Sequence, residues 1–172
     1  DGRDLSQGTE GELVVRGPCI FRGYFKADAE NQEAFTADGF FRTGDIAKFD
    51  PEGRLIITGR KKDIIIRGGE NISAREVEEL ILSHPNVEQV AVVGMPDPVL
   101  GEKVCAFIKP KQGMRVSFEE IISYLKEKKT SVLYLPERIE TIDELPLTNV
   151  GKVDKKRLRE EIKEKLKKEG KI

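Results

Sequence analysis

Strand-like apolar runs and capped amphipathic helices alternate through residues 60–172. The runs at 87–95 (VEQVAVVGM) and 103–110 (KVCAFIKP) are rich in β-branched residues and predict strands, and a shorter strand is expected at 138–140. Because helices and strands alternate around what must be one small sheet, the fold class expected for this region is α+β, or mixed α/β, with a short sheet flanked by helices.

Three helices in this region are predicted from their N-caps. Ser73 and Glu76 form a capping box, Ser117 and Glu120 form another, and Asp154 caps the last helix. Apolar residues at helical spacing are expected to face the core: Val77, Leu80 and Ile81 in the first helix, Phe118, Ile121, Ile122 and Leu125 in the second, and Leu158, Ile162 and Leu166 in the third.

The N-terminal part of the chain has a β-rich pattern. Residues 12–25 combine β-branched and aromatic residues with Gly and Pro, which predicts strands joined by turns. A short helix is expected at 29–35, and further strands at 40–50 and 55–59. This region is therefore expected to be a β-rich unit.

A charged segment, Arg60–Asp63, separates two apolar runs and predicts a domain boundary. We expect residues 1–59 to belong to one domain and residues 60–172 to form another. The sequence begins at Asp1 without an initiator methionine, which suggests a fragment or a processed product.

The composition limits the classes of function. The 172 residues are 38% hydrophobic and 35% charged, which is typical of a globular protein with a real core. The net charge of −1 argues against a general nucleic-acid binder, and no apolar run is long enough for a transmembrane segment. Cys19 and Cys105 fit no metal or redox spacing, so both are expected to be buried free thiols in a reducing cytoplasm. His84 is expected at a helix end, without a catalytic role.

Two segments near the predicted boundary could bind a ligand. Gly44 permits a tight turn that frees the Asp45 carboxylate to hold ribose hydroxyls, although Asp45 could simply cap that turn. Arg60 could contact phosphate, and Gly68 and Gly69 would let the backbone approach a ligand. In the simpler interpretation, the second segment is only a hairpin with a solvated charged turn.

The segment LTNVGK ends at Lys152 and resembles the end of a phosphate-binding P-loop. It is not a Walker A motif, because the first glycine is missing and Val153 follows the lysine. A lysine on such a loop could still bring positive charge to a phosphate or a carboxylate. Gly151 could equally form only a turn before the last helix, and local chemistry leaves the two interpretations open. The basic last helix is more often a solvated face than a nucleic-acid site.

Taken in order, five segments resemble the closing third of the AMP-forming acyl-adenylate enzymes, which include acyl-CoA synthetases, aryl-acid ligases and luciferases. The segments are GELVVRGPCIFRGYF, GFFRTGD, GRLIITGRKKDIIIRGGENISAREVEELI, HPNVEQVAVVGMPDPVLGEKVCAFI and LPLTNVGKVDKKRLRE. The resemblance covers nearly the whole chain. It implies that residues 1–59 end a large N-terminal domain and that residues 60–172 form a mobile C-terminal domain.

The resemblance also implies roles for single residues near the boundary. Asp45 matches an aspartate that binds the ribose hydroxyls of the nucleotide, and Arg60 matches an arginine that contacts the same nucleotide. Lys62 matches the hinge residue about which the small domain swings. Gly68 matches a glycine that lines the pantetheine tunnel, with Gly69 beside it.

Lys152 matches the catalytic lysine that contacts the substrate carboxylate and the α-phosphate region. The implied reaction joins an acid to Mg²⁺-ATP, giving acyl-AMP and pyrophosphate, and then transfers the acyl group to the thiol of coenzyme A. Val150 departs from the family pattern, since many members have Ser there. No metal site is expected in this chain.

The main expectation for the substrate is a fatty acid, which would make the full-length protein an acyl-CoA synthetase. The alternative is an aryl-acid–AMP ligase that loads a carrier-protein thiol, because LPLTNVGKVDKK and IIIRGGENISAREVE are also similar to ligases of the dihydroxybenzoate type. The acid and ATP would bind largely through the large N-terminal domain. The loop that cradles the ATP phosphates and the acyl pocket belong to that domain, so this chain alone is expected to be inactive.

Overall fold

The computed structural model describes residues 2–172, which divide into two compact units. The first unit ends at Lys62, and the second comprises Asp63–Ile172. The division falls within the charged segment 60–63. None of the helices in the described part of the chain has the length and apolar character needed to cross a membrane.

The first unit is built on a three-stranded antiparallel sheet in the order β1-β2-β3. Its elements are β1 (Gly11–Val15), α1 (Asp28–Ala34), β2 (Phe41–Phe49) and β3 (Leu55–Arg60). The short helix and the two later strands were predicted, with small differences at their ends.

Residues 12–25 were predicted to form strands joined by turns, and the structure has turns there but no strand beyond Val15. Residues 16–25 form turns and irregular backbone, since Pro18 has no N–H to donate to a ladder and Gly23 has a φ of +146°. Aromatic packing holds this segment instead: the Phe21 ring lies 5.0 Å from the Phe41 ring and 5.6 Å from the Phe35 ring. The aromatic residues of this segment therefore gave it a strand-like sequence pattern, although they pack through their rings and not as part of a sheet.

The second unit contains five strands and three α-helices among its described residues. In chain order they are β4 (Ile64–Arg67), β5 (Glu70–Ser73), α2 (Ala74–Leu82), β6 (Val87–Asp97), β7 (Gly101–Pro110), α3 (Phe118–Glu127), β8 (Arg138–Thr141) and α4 (Lys155–Lys168). Single 3₁₀ turns lie at Lys61–Asp63 and Val132–Tyr134.

Strand β7 is the centre of the second sheet. On one side it pairs with β6 in antiparallel fashion along its whole length. Its other side is shared: β4 pairs with it only at Arg67 and Gly101, and β8 pairs in parallel over Cys105–Ile108. Strand β5 lies outside β4. This mixed sheet with helices on both faces confirms the predicted mixed α/β class.

Side chains of β6 and β7 alternate between two buried cores. One core, with α2 and α3, takes Val92, Val104, Ala106 and Ile108; the other, with α4, takes Ala91, Val93, Cys105 and Phe107. Because helices cover both faces, both strands are almost continuously apolar in sequence. The second unit therefore has the three layers helix, sheet and helix.

The predicted caps of the three helices are present. Ser117 and Glu120 form a complete capping box, the Ser73 hydroxyl accepts the Glu76 N–H at 3.4 Å, and Asp154 accepts the Arg157 N–H at 3.1 Å. The predicted core residues of α4, namely Leu158, Ile162 and Leu166, are all buried.

One predicted core residue of α3 is wrong. Phe118 is 40% exposed, because it is the first residue of the helix and lies at its end, whereas Ile121 and Leu125 are fully buried. Ile122 is partly buried. Helical spacing therefore identified the central part of the stripe but not its start.

The two cysteines differ, although both were expected to be buried. Cys105 is fully buried between β7 and α4, and burial raises its thiol pKa to about 12. Cys19 is exposed, because its segment forms turns and not a sheet strand. His84 lies two residues past the end of α2, where it is buried, packs edge-on against Tyr124 and accepts the Asn86 N–H through Nδ1.

Glu78 connects three elements along the outer strand β6. Its Oε1 accepts the backbone N–H of Val92 at 2.8 Å and lies 2.7 Å from the ammonium nitrogen of Lys155. Glu78 belongs to α2 and Lys155 to α4, so this ion pair passes around the edge of the sheet.

Candidate active-site residues

Asp45 and Arg60 are cross-strand partners in the first unit. Their Cα atoms are in register between β2 and β3, and the Arg60 Nε donates to Asp45 Oδ1 at 2.7 Å. The side chains are 26% and 48% exposed respectively, so solvent and ligands can reach both. The structure thus brings these two predicted nucleotide-binding residues together.

An irregularity in β2 places Asp45. Gly44 has a φ of +72° inside the strand, and the register between β1 and β2 shifts at this position. Thr43 stabilises the irregularity, since its hydroxyl donates to the Leu13 carbonyl at 2.8 Å and accepts the Asp45 N–H at 3.1 Å. The expected tight turn at Gly44 is therefore a bulge within a strand, a feature that re-aims the following side chain.

Neighbouring charges are arranged so that Arg60 pairs with Asp45. The Glu12 carboxylate takes the two other nearby cations, Arg42 at 3.2 Å and Lys61 at 2.9 Å. Consequently the first unit holds two adjacent groups of ion pairs, one around Glu12 and one formed by Asp45 and Arg60.

Lys62 is exposed and lies in the middle of the 3₁₀ turn Lys61–Asp63, at the division between the two units. Short 3₁₀ turns commonly connect elements, and hinges are commonly a few loop or element-terminal residues. Asp63, the next residue, is held in the second unit by Arg159 at 2.6 Å. The hinge role of Lys62 stays a prediction.

Gly68 and Gly69 form the tight turn between β4 and β5. Their φ angles are +58° and +92°, and two successive residues in this region favour glycine. The Gly68 N–H donates to the Leu100 carbonyl at 2.8 Å, which ties the turn to the start of β7. Both glycines are exposed, so their backbone is open to a ligand.

Carboxylates close the gap between β4 and β7, where strand pairing stops after a single residue pair. Glu102 accepts the Ile66 N–H at 2.9 Å, and Glu137 accepts the Val104 N–H at 2.8 Å. Arg67, the residue before the glycine turn, lies 2.6 Å from Glu137. Sequence reasoning missed these residues, because nothing in the local pattern links positions 67 and 137.

Lys152 lies at the end of a tight turn that begins at Thr148. The Thr148 N–H donates to the Lys152 carbonyl at 2.7 Å, and the Lys152 N–H donates to the Thr148 hydroxyl at 3.2 Å. Gly151 supplies the positive φ of +77°. The side chain of Lys152 is exposed, and within residues 2–172 no carboxylate pairs with its ammonium group. The turn therefore precedes a capped helix, as one interpretation expected, and it leaves Lys152 exposed, whereas a contact of Lys152 with phosphate or carboxylate stays a prediction.

Comparison with known proteins decides the family. Residues 76–152 match the model of the AMP-binding enzyme C-terminal domain. The chain belongs to this family of AMP-binding enzymes. The matched residues include the paired strands β6 and β7 and end at Lys152.

Relatives of this chain are AMP-forming ligases. It is 46% identical over 164 residues to the 2,3-dihydroxybenzoate-AMP ligase of Bacillus subtilis, covering 95% of this chain and 30% of that protein. It is 48% identical over 158 residues to a salicylyl-CoA synthase / salicylate adenylyltransferase of a Streptomyces species, covering 92% of this chain and 29% of the relative. The chain therefore spans less than a third of the length of these relatives.

The fold also matches a solved member of the family. The crystal structure of ATP-bound MatB from Rhodopseudomonas palustris superposes with a TM-score of 0.88 at 34% sequence identity. The match covers 94% of this chain and 32% of MatB. The comparisons support the use of ATP or AMP by the family, whereas the roles of Asp45, Arg60, Lys62, Gly68, Gly69 and Lys152 stay predictions.

Proposed function

We propose that the full-length protein is an ATP-dependent, AMP-forming ligase that activates an aromatic 2-hydroxy carboxylic acid. The observation that carries the proposal is the 46–48% identity to ligases named for 2,3-dihydroxybenzoate and salicylate. Both acids bear a hydroxyl group next to the carboxylate on an aromatic ring. These relatives favour the aryl-acid alternative over the fatty-acid substrate that was the main expectation.

Asp45 and Arg60 fit a nucleotide as a pair. A carboxylate accepts hydrogen bonds from vicinal ribose hydroxyls, and a guanidinium group matches phosphate oxygens. Their 2.7 Å ion pair holds both side chains in one place before the nucleotide arrives, which lowers the entropy lost on binding.

Lys152 fits the first half-reaction, in which the substrate carboxylate attacks the α-phosphate of ATP and pyrophosphate leaves. Two anions must approach each other in this step. An ammonium group without a carboxylate partner can offset their repulsion and stabilise the charge that gathers in the transition state.

The second half-reaction transfers the acyl group from AMP to a thiol. We assign the Gly68–Gly69 turn to the channel for a phosphopantetheine arm. We assign Lys62 to the hinge about which the small domain swings between the arrangement for adenylation and the arrangement for thioester formation. Phosphopantetheine is common to coenzyme A and to a loaded carrier protein, so the same turn suits either acceptor. Because ATP is the co-substrate, we place the enzyme in the cytoplasm.

Mg²⁺ accompanies ATP in the proposed reaction. Within residues 2–172 there is no group of three or more His, Cys, Asp or Glu side chains that could hold a metal ion. Mg²⁺ commonly binds through substrate phosphates and only one or two carboxylates. We therefore propose that Mg²⁺ enters the reaction bound to the ATP phosphates.

The acid specificity is tested by ATP–pyrophosphate exchange with the full-length protein. We expect exchange with salicylate and 2,3-dihydroxybenzoate, weaker exchange with benzoate, and none with palmitate. Supplying coenzyme A or a phosphopantetheine-loaded aryl carrier protein then separates the two acceptors. Exchange with palmitate alone would contradict the proposal. Acyl-AMP synthesis by residues 1–172 without the rest of the protein would contradict only the expectation that this chain alone is inactive.

Lys152→Ala tests the catalytic lysine. By analogy with the loss of an oxyanion donor, it should slow acyl-AMP formation by on the order of a thousandfold, or about 3–4 kcal/mol. Thioester formation from pre-formed acyl-AMP should change far less. Lys156→Ala, which removes an exposed lysine from α4, is the matched control and should leave both half-reactions unchanged. Equal losses in both half-reactions would contradict the role of Lys152.

A further inference from the structure

The turn that carries Gly68 and Gly69 is attached to the rest of its sheet by few backbone bonds. Strand β4 pairs with β7 only at Arg67 and Gly101, and the Gly68–Leu100 hydrogen bond lies beside that pair. The outer neighbour of β4 is β5, which belongs to the same hairpin. The position of the hairpin relative to β7 therefore depends largely on side chains.

Glu137 is one of two side chains that join this hairpin to β7, and the other is Glu102, which accepts the Ile66 N–H. Its backbone N–H donates to the Val104 carbonyl at 3.0 Å, and its Oε2 accepts the Val104 N–H at 2.8 Å. Glu137 thus satisfies both backbone groups of one β7 residue, immediately before β8 begins to pair. This fixes the Glu137 carboxylate relative to the centre of the sheet.

The second oxygen of the same carboxylate contacts the hairpin. Arg67 Nε lies 2.6 Å from Glu137 Oε1, and both atoms are buried. Their approach is not aligned as a hydrogen bond, so the contact is an ion pair held by charge. Since Arg67 immediately precedes Gly68, a change at Glu137 reaches the glycine turn through one residue.

We propose that Glu137 is a positioning residue for the thioester-forming half-reaction, because through Arg67 it holds the Gly68–Gly69 turn in place for the phosphopantetheine arm. The inference rests on the proposed function of that turn. It predicts that Glu137 affects the second half-reaction and leaves the first nearly unchanged.

Glu137→Gln in the full-length protein tests this inference. The amide oxygen can still accept the Val104 N–H, whereas the charge facing Arg67 is lost. We expect a higher KM for the thiol and thioester formation slowed by about tenfold, which is less than the roughly hundredfold loss that a 1 Å misplacement can cause. Acyl-AMP formation should stay within about twofold of the wild type.

Glu140→Gln is the matched control. Glu140 is a similarly shielded carboxylate, 16% exposed against 23% for Glu137, and it pairs with Arg138 and Lys165 away from the glycine turn. We expect Glu140→Gln to lower the free energy of unfolding without changing the ratio of the rate of thioester formation to the rate of acyl-AMP formation. Equal ratios in the two variants, or equal losses in both half-reactions of Glu137→Gln, would overturn the inference.

Hydrogen exchange separates this inference from the proposed function. In the 172-residue chain, Glu137→Gln should increase amide exchange at residues 68–70 more than Glu140→Gln does. A wild-type protein that forms no acyl-AMP, with this exchange difference present, would overturn the proposed function and leave the structural link intact. No exchange difference would overturn the link itself.

Discussion

The two units bury similar sequence runs in different ways. In the second unit, β6 and β7 are apolar along their length, and their side chains are buried in cores on both faces of the sheet. In the first unit, the Leu55, Ile56 and Ile57 side chains of β3 are all exposed, and Ala47 is the single buried hydrophobic residue among those described. An apolar run therefore indicates burial within the same unit only where helices supply a cover.

This difference fits the proposal that the first unit is the end of a large N-terminal domain and that the second unit is a separate C-terminal domain. The second unit carries its own helices on both sides of its sheet. For the first unit we propose that the exposed apolar residues pack against the large domain of the full-length protein. The contrast can be tested within the 172-residue chain by matched pairs of residues, one from each unit.

The largest expected contrast is between the two cysteines. A thiol reacts as the thiolate, and burial both raises the Cys105 pKa to about 12 and blocks access, whereas Cys19 is exposed. We expect Cys105 to be alkylated on the order of a thousandfold more slowly than Cys19, because burial lowers both its thiolate fraction and the access of the reagent. Mass spectrometry of the labelled chain measures both rates. Similar rates in the folded chain would contradict the burial of Cys105, and in denaturant the difference should disappear.

Two phenylalanines sharpen the comparison of the cores. Phe107 is fully buried against α4, so Phe107→Ala should lower the free energy of unfolding of the second unit by about 3–5 kcal/mol. Phe49 is half exposed on β2, and Phe49→Ala should cost less than about 1 kcal/mol. Hydrogen exchange in each unit measures these changes separately. A large loss from Phe49→Ala would show that the first unit has a core of its own.

Gly44 tests whether backbone conformation matters more than core packing in the first unit. Its φ of +72° is unfavourable for residues with a Cβ, so Gly44→Ala should cost about 1–2 kcal/mol. Gly44→Asn should cost less, because Asn tolerates this conformation better. The amides of β2 and β3 report the change by hydrogen exchange. If Gly44→Ala costs less than Phe49→Ala, packing dominates after all.

Local signals explain which parts of the fold could be predicted. Caps such as Ser117 and Asp154 and the spacing of Leu158, Ile162 and Leu166 depend on neighbours within one or two turns, and the structure confirms them. Errors arose where tertiary context decides: residues 16–25 pack through aromatic rings, and Phe118 lies at a helix end.

The candidate site was predictable only in part. Asp45, Arg60 and Lys152 were found because they lie in recognisable short segments, and their roles depend on that resemblance. The link between Arg67 and Glu137 joins positions 70 residues apart, and a carboxylate that completes a broken ladder leaves no periodic trace in the sequence. Such contacts become visible only when the strands are placed side by side.

The outer strand β6 has a consequence for how copies of this chain behave towards one another. An uncovered outer strand offers its backbone groups as a template on which a strand from a second molecule can add. The Glu78 carboxylate already accepts the Val92 N–H, and Glu78 and Lys155 together place charged groups along the outer edge of β6. The ion pair therefore leaves one backbone donor of β6 unavailable and adds charge at this edge, both of which disfavour the addition of a strand from another molecule.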